Sequence, residues 1–214
     1  DRVRSPVSAR DGLSRPSGVT ALAQLFIIVG IVYFAGMLLL SRRKRVIGGS
    51  GQVPETVIFL VPALNEETVI ESTVRNLLHA ARGRDVVMVI DDGSTDRTAA
   101  LVEQFDDRRL LLTSRKPPEA RQGKGRALNH AYRTIRDRAV RADIDPTSVV
   151  LCIVDADGHM RPDAISKVLR YFTDPVVGAV QLLVRIRNRS GWLARFQDFE
   201  FLVFSSITQT AREH

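Results

Sequence analysis

The sequence predicts an α/β protein, with a mostly parallel β-sheet, helices on both faces and one membrane-spanning helix before it. Three observations predict this class. An uncharged apolar run covers residues 19–40. Runs rich in valine, isoleucine and leucine then alternate with segments whose apolar residues recur at helical spacing. The 214 residues, 44% hydrophobic and 26% charged, have the composition of a folded domain that buries one core.

The N-terminal apolar run predicts a membrane anchor. Its 22 residues make a helix of roughly 33 Å, enough to cross a hydrocarbon core. A signal peptide is the alternative, but the run is longer than a signal's apolar region and no cleavage pattern of small residues follows it. Residues 42–45, Arg-Arg-Lys-Arg, come directly after the run. We therefore expect a plasma or inner membrane protein whose following domain faces the cytoplasm.

The basic balance of the chain fits the same location. The net charge is +7 and the pI is near 10.3, which suits nucleic acid or an anionic membrane surface. Because the densest basic run borders the apolar run, we expect the lipid bilayer as a partner and no nucleic acid. The lone Cys152 excludes an internal disulfide and lies in an apolar strand, where a small buried hydrophobe is the expected role.

The remaining elements follow in order. Asn65 is expected to cap the first helix of the domain and Gly83 to end it, while Pro162 suits the first turn of a later helix. Helices are predicted at 66–82, from 94 or 95, at 125–138 and at 162–172, and strands at 57–61, 86–90, 110–113, 149–154 and 176–186. This alternation indicates a parallel sheet. The expected organisation is a flanking segment at 1–18, the anchor at 19–41, a basic and flexible linker at 42–53, the α/β domain at 54–191 and an aromatic segment at 192–214.

Acidic and polar residues follow three of the predicted strands. The segments are Pro62-Ala63-Leu64-Asn65-Glu66, Asp91-Asp92-Gly93-Ser94 and Asp155-Ala156-Asp157. Ligands of open α/β sheets bind beyond the carboxyl ends of the strands. Carboxylates gathered there repel one another unless a hard divalent cation joins them. The Asp-x-Asp segment therefore indicates a site for a metal ion and a nucleotide diphosphate.

Simpler interpretations of single motifs stay open. Asp91-Asp92-Gly93-Ser94 is also an ordinary turn that precedes a helix. Lys124, between Gly123 and Gly125, is placed to reach a phosphate but is also typical of a solvated loop. A Walker-type loop is not present, because Gly125 follows the lysine where serine or threonine is required.

The motifs together resemble family 2 glycosyltransferases of the GT-A, Rossmann-like fold. The matching segments are 61–66, 91–96, 123–129 and 155–157, and Gln181, Arg185 and residues 196–201 are similar to the membrane-embedded branch that includes cellulose, hyaluronan and poly-N-acetylglucosamine synthases. The resemblance implies that Asp155 and Asp157 hold Mg²⁺ or Mn²⁺ as catalytic residues and that Lys124 approaches the diphosphate. It also implies nucleotide-sugar binding by Pro62, Ala63, Leu64, Asn65, Glu66, Asp91, Asp92 and Asp155.

The implied reaction is inverting transfer of a sugar from a nucleotide-sugar, expected to be UDP-linked, to a glycan or lipid acceptor in polysaccharide synthesis. The family's Glu-Asp-type base motif and its Gln-x-x-Arg-Trp motif are both missing, so we expect the acceptor half to lie beyond this chain. Two alternatives remain open: a membrane-anchored nucleotidyltransferase and a non-catalytic nucleotide-sugar-binding domain.

The aromatic segment that begins at Trp192 gives a second membrane indication. Residues 192, 196, 199, 203 and 207 fall on one helical face, which predicts a helix at the membrane interface. A helix packed on the sheet has the same periodicity, and the sequence does not distinguish the two.

Overall fold

The computed structural model describes residues 18–41, 49–185 and 191–203 of the chain. These residues belong to two compact units. One unit, Ile47–Val180, carries the β-sheet, and the other combines Asp1–Val46 with Gln181–His214. The linker predicted at 42–53 lies mostly outside the described residues.

Four parallel strands form the sheet in the order β3-β2-β1-β4. They are β1 (Thr56–Ala63), β2 (Val86–Asp91), β3 (Leu110–Ser114) and β4 (Val149–Ile153). The sequence located each of these strands to within two residues. The prediction worked because valine, isoleucine and leucine dominate strands that are covered on both faces.

Helices connect the strands, as a parallel sheet requires. They are α2 (Ile70–Ala80), α3 (Thr98–Glu103), α4 (Lys124–Arg141) and α5 (Ala164–Leu169), with 3₁₀ turns at Pro146–Ser148 and Tyr171–Thr173. The predicted α/β class with a mostly parallel sheet is therefore confirmed.

The alternation of side chains along β1 divides the core into two layers. Val57, Phe59 and Val61 are buried on one face with residues of α2, α3 and α5. Leu60 is buried on the other face, against Ala127 and Ala131 of α4. Helices thus cover both faces of the sheet, and β1 is one of its two central strands.

Three local predictions are corrected by the structure. Residues 176–185 form no strand, although the sequence predicted one over 176–186. Apolar β-branched residues alone do not make a strand, because strand formation depends on cross-strand packing. The first helix of the domain begins at Ile70 rather than Glu66 and ends with Ala81 as its C-cap rather than at Gly83. The amide of Gly51, expected in a free tether, donates to the Thr173 carbonyl at 3.1 Å.

The other unit contributes two described helices. Helix α1 (Gly18–Ser41) coincides with the predicted anchor, and among the described residues it alone is long and apolar enough to cross a membrane, with a mean hydropathy of 2.4. Helix α6 (Trp192–Val203) confirms the start of the aromatic helix, and Trp192, Phe196 and Phe199 on its predicted face are exposed. Residues 204–214 of that prediction lie outside the described residues.

Candidate functional site

The predicted site residues gather at the carboxyl edge of the sheet. The loops after β1, β2 and β4 begin there, and β2 and β4 flank β1 on its two sides. Since adjacent strands lie about 4.8 Å apart, the ends of β2 and β4 are separated by about 10 Å. A ligand of nucleotide size can therefore contact both ends across β1.

Backbone amides tie the loop after β1 to the loop after β2. Three consecutive amides donate to three side chains: Asn65 N to Ser94 Oγ at 3.0 Å, Glu66 N to Thr98 Oγ1 at 2.8 Å and Glu67 N to Asp96 Oδ2 at 3.1 Å. A return bond runs from the Thr95 amide to Asn65 Oδ1 at 2.8 Å. We call residues 65–67 and 94–98 the loop latch.

The loop latch explains why α2 begins late. Asn65 has φ 57°, a left-handed conformation that asparagine tolerates better than most residues. Its side chain is engaged by the opposite loop, so it caps no helix. Burial acts to raise the pKa of Asp96, but hydrogen bonds from Thr98 and Glu67 outweigh it and hold that pKa below its usual range. The sequence analysis interpreted residues 94–96 only as part of a motif and as the start of a helix.

The other predicted residues of the first motif differ in exposure. Pro62 and Ala63 are the last residues of β1, opposite Ile90 and Asp91 of β2. Ala63 is buried, whereas Leu64 is 41% exposed and presents its side chain to solvent. Within this motif, a ligand can therefore reach Leu64 and the polar residues Asn65 and Glu66 that follow it.

Asp91 and Asp92 are both buried, each only 5% exposed. The carboxylate of Asp91 accepts a hydrogen bond from the Ser94 amide at 3.0 Å. The amide of Asp92 donates to the Ala63 carbonyl at 2.9 Å, which joins the ends of β1 and β2. The carboxylate of Asp92 forms an ion pair with Arg115, just beyond β3. Both aspartates therefore shape the edge through contacts within the protein.

The sequence analysis did not single out Arg115. Its guanidinium donates to Asp92 and also to the Glu119 carbonyl. Its side chain is only 6% exposed. A cation that directly follows an apolar strand was the available signal, since a charge is buried at such a position only when it is paired.

The Asp-x-Asp segment continues the alternation of β4. Val154 and Ala156 point into the core, and the Ala156 carbonyl accepts a hydrogen bond from Thr73 Oγ1 at 2.6 Å. The side chains of Asp155 and Asp157 between and beyond them are consequently exposed. Core packing of two small apolar residues thus presents two carboxylates to solvent at the edge.

Lys124 is brought to the same place by the turn before α4. Gly123 has φ 95°, which only glycine adopts readily, and α4 begins at the next residue. The ammonium group of Lys124 forms an ion pair with the Asp155 carboxylate. The structure therefore brings together two of the predicted residues from distant parts of the chain.

The residues of this segment fit a hard divalent cation by their chemistry. Asp155 and Asp157 offer carboxylate oxygens, the ligands that Mg²⁺ and Mn²⁺ prefer. Within the part of the chain that the structure describes, no three side chains of histidine, cysteine, aspartate or glutamate form a metal-binding group. Two protein carboxylates with water and a diphosphate are a usual magnesium environment, because Mg²⁺ keeps several waters.

Cys152, in β4 just before this segment, is a partly buried residue that packs against the core. Burial raises the pKa of its thiol to about 11. A thiol with that pKa is almost entirely protonated near neutral pH and is a poor nucleophile. The expected packing role is supported.

Comparison with known proteins adds a family and relatives. The model of the family "Glycosyl transferase family 2" matches residues 58–213. The "Probable glycosyltransferase YdaM" of Bacillus subtilis (strain 168) is 31% identical over 164 residues, covering 73% of this chain and 36% of that protein. A poly-beta-1,6-N-acetyl-D-glucosamine synthase of Staphylococcus aureus (strain COL) is 31% identical over 148 residues, covering 69% of this chain and 33% of the synthase.

A solved structure shares the fold. The mannosyltransferase PcManGT from Pyrobaculum calidifontis, in complex with GDP-Man and Mn²⁺, superposes with a TM-score of 0.63 at 25% identity, covering 79% of this chain and 47% of that one. The chain spans about a third of the length of the two curated relatives.

Proposed function

Because the chain belongs to glycosyl transferase family 2, we propose that its GT-A domain transfers a sugar from a nucleotide-sugar to a glycan or lipid acceptor. The observation that carries the proposal is the meeting of Lys124 with Asp155 beside the exposed Asp157. A diphosphate needs cations around it, and this edge offers an ammonium group together with carboxylates for a divalent ion. The alternative of a nucleotidyltransferase is not retained, since the family match covers the whole α/β domain.

Different residues of this edge are proposed to contact different parts of the nucleotide-sugar. The loop latch and the buried Asp91 and Asp92 form the wall on the nucleoside side, at the ends of β1 and β2. Asp155 and Asp157 would hold Mg²⁺ or Mn²⁺, which when bound neutralises negative charge that develops on the departing diphosphate. Lys124, once released from Asp155, binds the same diphosphate oxygens as a point charge.

The reaction is a single displacement with inversion. An acceptor hydroxyl oxygen forms a bond to the anomeric carbon, and the bond from that carbon to the diphosphate oxygen breaks. The bonding electrons leave with the nucleoside diphosphate. The acceptor proton passes to a general base, and none of the residues at this edge is assigned that role.

We assign the donor to the class of UDP-sugars and the reaction to polysaccharide synthesis. The similarity to the synthase supports both assignments. We assign helix α1 as the anchor of the domain in the plasma or inner membrane, and the basic residues 42–45 of the sequence favour a cytoplasmic domain. Nucleotide-sugars are then available to it from the same compartment.

Binding of nucleotides by the full chain in a neutral detergent tests the proposal. In calorimetry with Mn²⁺ we expect saturable UDP binding that is weakened at least about tenfold by EDTA, because the ion bridges carboxylates and diphosphate. The same titration with GDP instead of UDP tests which nucleobase the site prefers. Preference for GDP would overturn the UDP assignment alone, whereas no binding of either nucleotide would overturn the proposed function.

A further inference from the structure

A second cationic site lies away from the Asp-x-Asp segment, between the end of β3 and the outer face of α4. It is a cleft of about 350 Å³. Its walls include Arg115, Arg126, Asn129, His130 and Arg133. We call it the α4 cleft.

Helix α4 concentrates positive charge on its solvent side. It contains one lysine and five arginines against one aspartate, a formal charge of 6 − 1 = +5 in 18 residues. Arg126, His130 and Arg133 stand at spacings of four and three residues, so they share one face. Ala127 and Ala131 are buried on the opposite side. The cleft residues therefore project outward together.

The two outer arginines of the cleft lack carboxylate partners. Arg126 donates to the Gln122 side-chain oxygen, and within the described residues neither Arg126 nor Arg133 has an acidic group within ion-pair distance. Several other exposed arginines of the domain are paired, namely Arg75 with Glu71, Arg84 with Glu55, Arg97 with Glu67 and Arg161 with Asp163. The exposed Arg108, Arg121, Arg138, Arg141 and Arg170 form no ion pair within the described residues, but they do not line the cleft. Like charges at neighbouring positions of a helix are unfavourable without a counter-ion.

Arg115 forms the inner wall and adds an unsatisfied donor. Two of its nitrogens are bonded to Asp92 and to the Glu119 carbonyl, but its Nε is buried with no partner in the described part of the chain. A buried N–H without an acceptor is unfavourable, because it has lost its hydrogen bond to water. The walls of the cleft hold three arginines and one carboxylate, Glu119, a formal charge of 3 − 1 = +2.

We propose that the α4 cleft binds a phosphate-bearing anion. Guanidinium groups match phosphate oxygens in a bidentate manner, and Asn129 and His130 each supply further N–H donors. The anion supplies the counter-charge that Arg126 and Arg133 lack. It is either a free phosphate group or the headgroup of an anionic lipid, which share this chemistry. Arg115 belongs to the wall and also holds Asp92, so the cleft and the nucleoside side of the edge share one residue.

The test uses the full chain in a neutral detergent with EDTA present. Binding of inorganic phosphate is followed by phosphorus-31 NMR line width against chloride at equal ionic strength, and dihexanoyl phosphatidic acid is titrated in parallel. The variant Arg126→Gln/Arg133→Gln is expected to weaken binding at least about tenfold, because it removes two positively charged hydrogen-bond donors to the anion. The control Arg138→Gln/Arg141→Gln removes the same charge from α4 outside the cleft and is expected to change binding by less than about threefold through screened charge alone.

The two ligands separate the sources. If Arg126→Gln/Arg133→Gln weakens the binding of phosphate, the natural ligand is a free anion. If it weakens the binding of phosphatidate and phosphate itself does not bind, the ligand is a lipid headgroup. Either result supports the site. Equal weakening by the two double variants, or no binding of either ligand, would overturn it. Loss of phosphate binding in Lys124→Gln, with binding retained in Arg126→Gln/Arg133→Gln, would assign the phosphate to the Asp-x-Asp edge instead. Failure of UDP binding would not alter these outcomes.

Discussion

Arg115 and Asp92 form a buried ion pair that joins the ends of β3 and β2. Their side chains are only 6% and 7% exposed. The amide of Arg115 also donates to the Asp91 carbonyl at 2.8 Å, so backbone and side chain hold the same junction. The ends of β2 and β3 are therefore held together by a charge pair that solvent hardly screens.

The first prediction concerns this pair. Arg115→Met is expected to cost about 3–5 kcal/mol of unfolding free energy, because it leaves the Asp92 carboxylate buried without a counter-charge. The double variant Arg115→Met/Asp92→Leu is expected to recover most of that loss, since neither charge then remains. Urea denaturation of the full chain in detergent, followed by circular dichroism, measures both. As a control, Arg84→Met breaks an exposed pair and is expected to cost less than about 1 kcal/mol. A double variant no more stable than the single one would refute the pairing.

The second prediction concerns Asp157. In the intact enzyme, Asp157→Asn is expected to lower the transfer rate by on the order of 10² to 10³, because a charged ligand to the divalent ion is lost. Its exposure means that the isosteric change should alter stability by less than about 0.5 kcal/mol. Steady-state turnover across a Mn²⁺ titration measures the effect. Asp163→Asn, the same change at another exposed position that pairs with Lys167, serves as the control. Near-normal turnover of the Asp157 variant with unchanged metal dependence would remove Asp157 from the metal site.

The third prediction concerns Asp85, at the opposite edge of the sheet. It is fully buried and accepts hydrogen bonds from the Val57 amide at 2.8 Å and the Arg82 amide at 2.7 Å. Although burial acts to raise its pKa, the bonds from Arg82 and Val57 lower it overall. Its stabilising effect is thus present above the pKa of the unfolded chain, about 3.9, and is lost as pH falls through the lower folded value.

We therefore expect Asp85→Asn to reduce stability by about 2–3 kcal/mol at pH 7. The gap between variant and wild type should narrow below about pH 4, where the wild-type carboxylate becomes protonated. Thermal unfolding at a series of pH values checks this. Glu71→Gln, which alters an exposed helix pair, should cost about 0.5 kcal/mol or less at every pH. A gap for Asp85→Asn that stays constant down to pH 2 would contradict the assignment.

The fourth prediction concerns membrane orientation. A fluorescent protein fused after Gly51 in a bacterial host should fluoresce, and alkaline phosphatase at the same position should be inactive, because residues 42–45 favour the cytoplasmic side. Replacing these four residues with glutamine should reduce the difference between the two reporters. Phosphatase activity of the unmodified fusion would reverse the orientation and remove the proposed supply of nucleotide-sugar.

The sequence predicted most of the fold because its signals are local. Four strands and the helix α4 follow from periodicity that depends only on nearby residues. The carboxyl ends of the strands also indicated the edge at which the structure brings Lys124 and Asp155 together. The late start of α2 could not be predicted, since Asn65 is engaged by Thr95 from another loop.

Contacts between strands that are distant in sequence were equally hidden. The pairing of Asp92 with Arg115 requires that β2 and β3 be neighbours in the sheet, and the sequence does not state their order. The segment 176–185 shows the opposite error. Its residues favour a strand locally, but in the described structure the segment pairs with no other strand. Local pattern thus defines elements, and long-range packing decides which of them are used.

The strand order has a consequence for how the edge is assembled as the chain folds. Partners in the β1–β2 pair are 86 − 58 = 28 residues apart, and those in the β2–β3 pair are 110 − 87 = 23 apart. Partners in the β1–β4 pair are 149 − 56 = 93 apart, a much larger loop to close. The three strands that carry the loop latch and the Asp92–Arg115 pair can therefore associate early. We expect Asp155 and Asp157 to join them only after β4 has closed that long loop, so that the two halves of the edge form at different stages of folding.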